Sequence, residues 1–310
     1  MAKSTRNSLV LAKVQTTAGT DPVPAAGANA ILVRNVNATP LSAEFVERNL
    51  IRPYMGNSGQ IATTRYGQLE FEVELAGSGE AGTAPAFGPL LRACGFAETT
   101  VADTSVTYTP VSTGMELLAL RYYLDGLFHN LLDARGTVSF DITAKAIPFM
   151  RFRLIGAYQP ITDAAMPTGV DYSAFQKPLA ANRANTPTWA LGAYTGCLQS
   201  LTLDIANQLA WRELIGCNGA HISDRRPAGN VLMELPSIAQ LNWPQMVLSA
   251  QDVPLSITHG VTPGNIVELE MPTAQLMNPS YSDQDGTAML GLDTAFQPDQ
   301  GNDEVAITFR

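Results

Sequence analysis

The sequence predicts an all-β protein with short flanking helices, laid out as two tandem units. Three observations carry this. Apolar and polar residues alternate over short stretches along most of the chain, as in 68–75, where Leu69, Phe71, Val73 and Leu75 share one face and Gln68, Glu70, Glu72 and Glu74 the other. Gly, Pro, Asn and Asp punctuate these stretches at turn-like spacing. The chain also contains a diverged copy of itself. Residues 41–67 (LSAEFVERNLIRPYMGNSGQIATTRYG) match 201–229 (LTLDIANQLAWRELIGCNGAHISDRRPAG). Leu41 falls on Leu201, Arg52 on Arg212, Gly56 on Gly216 and Gly59 on Gly219 with one constant offset; small slips then align Ile61 with Ile222, Arg65 with Arg226 and Gly67 with Gly229. A repeated unit of this length reads as a tandem architecture.

Residues 1–39 are rich in Ala, Gly, Thr and Pro and read as an extended N-terminal arm with little core of its own. On that reading, deletion of 1–30 leaves a folded monomer. The first β unit spans 40–160. It opens with a strand near 41–48, followed by the alternating strand at 68–75 and a glycine-marked turn at 77–82. A short helix is expected over 84–95, with Thr83 as N-cap, Pro85 in the first turn and Gly95 as the stop. Strands follow near 105–110, 116–124, 135–143 and 149–157. Residues 161–194, rich in Pro, Ala, Asn and Thr, read as a linker. The second β unit, 195–310, repeats the order: a strand at 198–205, the glycine loop, a strand at 230–235, a short helix near 239–249, and strands near 253–258, 265–271, 286–295 and 304–309. Gly136-Thr137 and Gly286-Thr287 are expected to begin equivalent late strands. Units of this kind read as sandwiches or partly closed barrels, and their long strands leave edges that must be covered or paired.

Composition narrows the function classes. With 310 residues, 45% hydrophobic and 15% charged, the chain has enough apolar matter for two cores. No stretch is long and apolar enough for a transmembrane helix, and the N-terminal apolar patch is too short for a secretory leader. Three cysteines (Cys94, Cys197, Cys217) without C-x-x-C spacing suggest neither a disulfide framework nor a zinc site, and fit synthesis in a reducing cytoplasm. Residues 195–310 carry 13 acids against four arginines, and no lysine follows Lys177. Such a surface does not grip phosphate backbones.

No catalytic constellation is visible, and catalytic, cofactor-binding and metal-ligating residues are all expected to be none. His129, His221 and His259 stand apart from Cys, Asp and Glu at ligand spacing and read as surface or loop residues. Gly77–Gly82 superficially fits a phosphate-binding pattern, but no lysine follows it and a turn or inter-subunit loop is the better reading. Asp283-Gln284-Asp285-Gly286 and Asp299–Glu304 have oxygen-rich composition, yet Asp and Gly are also standard turn residues, and the turn reading is preferred.

Longer patterns carry a resemblance. They are Trp211–Gly216, Ile222-Ser223-Asp224-Arg225-Arg226-Pro227-Ala228-Gly229, Val267–Leu276, Asp283–Gly286 and Asn302–Phe309, with Leu124-Asp125-Gly126 and Ala134–Phe140 in the first half. Together, over about 40–310, they resemble major tail tube proteins of long, non-contractile-tailed, siphovirus-like bacteriophages. The resemblance implies β-sandwich or barrel domains joined side by side into rings, rings stacked into a genome conduit in the virion tail, and no catalysis or cofactor. Implied partners are further copies of the chain, the tape measure protein and the tail terminator and distal tail proteins. DNA passes through the lumen without specific binding, and no membrane is involved. Glu70, Glu72 and Glu74 are compatible with a DNA-repelling lumen. If one family unit forms a sixfold ring, two fused units predict a three-copy ring with pseudo-sixfold symmetry; a true hexamer is the alternative. Competing roles are a tail terminator or distal tail adaptor ring and, less in keeping with the absent leader and disulfides, a bacterial surface adhesin.

Overall fold

The structure, a computed structural model, describes residues 2–310. Its first half contains strands β1 (Ser8–Gln15), β2 (Ala30–Ile31), β3 (Arg34–Ser42), β4 (Phe45–Glu47), β5 (Gln60–Ala62), β6 (Tyr66–Glu74), β7 (Phe96–Val101), β8 (Ser105–Pro110), β9 (Leu117–Leu124), β10 (Leu127–Thr143) and β11 (Phe149–Tyr158). Helical turn α1 (Ala26–Asn29) precedes β2, and helix α2 (Gly88–Ala93) follows β6. The second half contains β12 (Thr162–Asp163), β13 (Thr188–Leu191), β14 (Leu198–Asp204), β15 (Asn207–Leu214), β16 (Cys217–Arg225), β17 (Ala228–Glu234), α3 (Trp243–Leu248), β18 (Asp252–His259), β19 (Val267–Gln284), β20 (Thr287–Phe296) and β21 (Ala306–Phe309). The all-β expectation with short helices holds.

Every strand pairing is antiparallel. In the first half the order of neighbours is β1–β9–β10–β11–β6–β3. In the second it is β13–β18–β19–β20–β17–β14. The two series meet where the end of β10 pairs with β14, from Ser139 opposite Asp204 to Thr143 opposite Ser200. A second link runs from β19 through β21 to β8. Two Asp-Gly turns close two-residue hairpins. Asp125 (φ 42°) and Gly126 (φ 89°) join β9 to β10, and Asp285 (φ 52°) and Gly286 (φ 82°) join β19 to β20. Positive φ at both central residues is the geometry whose twist matches the flanking strands. One core cluster draws on both halves, from Phe71, Leu90 and Phe152 to Met233, Leu269 and Phe309.

Several local readings are corrected. Residues 1–39 do not form a coreless arm. The run Leu9-Val10-Leu11-Ala12 is fully buried and β1 pairs with β9 along its whole length. Ahead of it, the Asp125 carboxylate accepts hydrogen bonds from the Ser4 amide and the Asn7 side chain, both at 2.7 Å. Deletion of 1–30 therefore removes a core strand. Part of the 161–194 linker is also structural, because β13 pairs with β18 and Leu191 and Ala181 are buried. Helix α2 starts at Gly88 with Phe87 as its N-cap, not at Thr83. A helix begun at 84 would place Pro89 where its ring meets a carbonyl of the preceding turn; starting at Gly88 puts it in the first turn, where no N–H is needed. Gly95 (φ 83°) ends the helix as expected. The glycine-marked loops contain hairpins, β4–β5 and β15–β16. Gly136 lies within β10 whereas Gly286 is a turn residue, so these two do not open matching strands.

Candidate assembly surfaces

Both hairpins leave the sheet between paired strands. β4–β5 sits between β3 and β6, and β15–β16 between β14 and β17. Glycine supplies the left-handed backbone in each, at Gly59 (φ 77°) and Gly216 (φ 95°). Their tips are apolar and exposed, Ile51 and Met55 on one and Leu214 and Ile215 on the other.

Their bases differ. Hairpin β15–β16 is seated on the first half. The Asn207 side-chain Nδ2 donates to the carbonyls of Cys94 (2.7 Å) and Gly136 (2.9 Å), and Arg135 donates to the Ala220 carbonyl at 3.1 Å. Trp211 stacks on Tyr66, Ala220 and Ile222 are buried, and Ile222 approaches Gly95 at the end of α2. The base of β4–β5 has no such seat among the described residues: Phe45, Val46 and Ile61 are each more than half exposed.

The strand edges show the same contrast. The end of β10 is covered by β14, and Phe140, opposite Leu203, is buried. The end of β19, residues 278–283, bonds β20 on one side and is exposed, with Tyr281 66% accessible. Among the described residues β3 bonds only β6, and its outward residues Asn35, Asn37 and Thr39 are exposed. Helix α2 is sunk into the core through Leu90 and Leu91, whereas α3 buries no residue and leaves Leu248 82% exposed.

The glutamates of β6 do not form a bare acidic row. Glu72 accepts from Arg151 (2.7 Å), Arg34 (3.0 Å) and Asn35 (2.7 Å), and Glu70 lies 3.6 Å from Arg153. Arg151 and Arg153 come from β11, directly opposite Glu72 and Glu70, and Arg34 comes from β3 on the other side of Glu72. Burial works to raise the Glu72 pKa, but the hydrogen bonds from Arg151 and Asn35 and the charges of Arg151 and Arg34 together hold it below the usual carboxylate range.

The remaining candidate residues serve structure. Gly77 and Gly79 pack on the 264–265 loop of the second half: the Gly77 amide donates to Asn265 Oδ1 (2.8 Å) and the Gly79 amide to the Gly264 carbonyl (2.9 Å). The Asp303 carboxylate accepts from the amides of Asp299, Gln300 and Gly301, which is a turn. The histidines lie in strands rather than loops. His259 is buried, its ring nitrogens meeting Thr186 Oγ1 and the Leu179 carbonyl. Burial pulls the His259 pKa down against that carbonyl contact. Cys94 is buried, which pushes its thiol pKa up, and Cys197 and Cys217 are exposed. No cluster of three or more His, Cys, Asp or Glu residues arranged to hold a metal occurs among the described residues. No helix among them is long and apolar enough to cross a membrane.

The features that stand out are thus free strand edges and hairpins with exposed apolar tips. No curated protein is detectably similar to the chain. A family model described as phage tail tube protein matches residues 5–309, nearly the whole length, and the chain belongs to the phage tail tube protein family.

Proposed function

We propose that copies of this chain close into rings, that the rings stack into the tail tube, and that the tube is the conduit through which the genome passes into the host cell. Each ring holds three copies with pseudo-sixfold symmetry, because each chain supplies two equivalent tube units. The observation that carries this is the strand order, which runs the same way in both halves. A second agreement supports it. The β9–β10 ladder shifts register between Leu131 and Ala134, and the β18–β19 ladder shifts between their counterparts Met271 and Ala274. Bulges at one place in two ladders are hard to reconcile with unrelated halves. On this reading the first unit begins at β1 and the second at β13, so the domain boundaries move outward from the sequence estimate.

The exposed hairpin tips are the contacts offered to adjacent rings, to the tape measure protein or to the tail terminator and distal tail proteins. The net charge of −9 keeps DNA free to slide. The tail is of the long, non-contractile kind, and the protein is made in the host cytoplasm.

Electron microscopy of the concentrated protein, with native mass measurement of the smallest ring, tests this. Stacked tubes built from three-copy rings are expected. Six-copy rings would keep the tube and remove the pseudo-sixfold account. Persistent monomers or single rings would favour a terminator or distal tail adaptor.

A further inference from the structure

We infer that the ring closes by a specific strand joint: the end of β19, residues 280–284, pairs antiparallel with β3 of the next copy, repeating between molecules the joint that β10 and β14 make within one. This rests on the tube reading and names the residues that carry it.

The mapping follows from the ladders once the shared register shift is aligned, Leu131 with Met271 and Ala134 with Ala274. Reading across the first half, Phe140 stands opposite Met150, and Met150 opposite Val73. Across the second, Tyr281 stands opposite Leu290, and Leu290 opposite Met233. A further row in the first half runs Ala38, Leu69, Leu154, Gly136. Its counterpart in the second runs Leu203, Gly229, Thr294, Leu276. Tyr281 is therefore the counterpart of Phe140, and Ala38 of Leu203. Within the chain Phe140 and Leu203 are direct partners across the β10–β14 joint. Their counterparts are the two edges left open, Tyr281 exposed at the end of β19 and Ala38 on the unpaired side of β3.

The two edges match in more than position. Each offers an unsatisfied row of backbone donors and acceptors, which a complementary strand satisfies. Pro40 follows the β3 segment concerned and Pro279 precedes the β19 segment, so both rows keep their amides. Tyr281 already leans on Trp243 of α3 with ring centroids 6.0 Å apart, so it presents a packed aromatic face to an incoming strand.

The hairpins complete the match. Beyond β14, hairpin β15–β16 folds over β10 and reaches the end of α2. Beyond β3, hairpin β4–β5 would fold over β19 and reach the end of α3. That hairpin has an exposed apolar base (Phe45, Val46, Ile61), and the end of α3 has an exposed Leu248. The occupant of both is a second copy of this chain, because the covering element within each chain is already drawn in the other half.

The test is disulfide trapping in the full chain, with Cys197→Ser and Cys217→Ser removing the exposed thiols. Ala38→Cys is combined with Tyr281→Cys. Directly opposed residues of an antiparallel pair have Cα atoms about 4.5–5.5 Å apart, within disulfide reach. Mild oxidation is expected to convert most of the protein into a covalent oligomer that reductant returns to monomer, while each single variant stays monomeric. Ala38→Cys with Asp283→Cys, on the same face, reads a two-residue slip; Ala38→Cys with Ser282→Cys, on the opposite face, is expected not to link. Tubes that form in both same-face variants without any crosslink would overturn the joint and leave the tube reading standing. Crosslinked species that never form tubes would support the joint and count against the tube. Neither tubes nor crosslinks would overturn both.

Discussion

Hairpins β4–β5 and β15–β16 leave matching places in the fold, yet one has its base buried and the other stands in solvent. The covered one is held by Asn207, Arg135 and the Tyr66–Trp211 stack; the open one exposes Phe45, Val46 and Ile61. The difference does not lie in the tips, since both carry exposed apolar residues there and both have glycine-supported bends. It lies in connectivity: the surface that β15–β16 covers precedes it in the same chain, and the surface that suits β4–β5 has no covering element in that chain. On the proposed joint, the exposed apolar residues of β4–β5 are the contact that the next copy fills.

The comparison is broken most severely by truncating the buried side of the joint. Phe140→Ala is expected to cost about 3–5 kcal/mol, the usual range for emptying an aromatic site in a core. Tyr281→Ala, at the corresponding exposed place, should stay within about 0.5 kcal/mol for the isolated monomer while reducing assembly. Urea unfolding midpoints, read beside sedimentation of tubes, separate the two. Equal destabilisation by both would deny that the edges differ in the way described.

A smaller effect tests the seat of the covered hairpin. Asn207→Ala leaves the Cys94 and Gly136 carbonyls without their donor, and an unsatisfied buried group costs about 1–3 kcal/mol. Thermal unfolding should shift down, and proteolysis should begin at 214–219 rather than at the chain ends. Gly264→Ala, which probes the contact between halves at the Gly77–Gly79 loop, is expected to cost a similar amount. Its φ of 86° disfavours a side chain at about 1–3 kcal/mol, and a Cβ would stand 2.4 Å from the Gly79 backbone. An unchanged melting temperature would mean that the loop yields.

Much of this was legible in the sequence. The strands at 105–110, 117–124, 149–158 and 198–204 follow apolar alternation and turn residues, as does the position of α3. The glycine-marked loops each fall on a hairpin, β4–β5 and β15–β16. What failed did so for physical reasons. β1 was hidden because its apolar run is short and surrounded by Ala, Gly and Pro; only the β9 edge, distant in sequence, gives it a partner. The second half of β19 is illegible because Asn278-Pro279-Ser280 breaks the alternation and one side bonds no strand among the described residues. The pairing of acids with arginines on β11 was also out of reach, because Glu72 and Arg151 meet only through strand register.

The smallest predicted effect separates the halves by pH. In the first, Arg34, Glu72, Arg151 and Ser139 form one cross-strand row; the counterpart row in the second is Ser200, Leu232, Gly291, Ser280, without an ion pair. Because the folded Glu72 pKa is depressed, its contribution is present above the ordinary glutamate pKa of about 4.3 and is lost as pH falls through the lower folded value. The Arg34 and Arg151 side chains are 38% and 59% exposed, so water screens the pairing and its worth is about 0.2–1 kcal/mol. Glu72→Gln should remove that amount at neutral pH and flatten this part of the acid limb. Hydrogen-exchange protection factors, which divide out the slower intrinsic exchange at low pH, should therefore fall in β6 of the wild type more than in β17 as the pH drops from 6 towards 3, and the difference should shrink in the variant. Equal loss of protection in β6 and β17 of the wild type would show that the ion-pair row does not set the acid response of the first half.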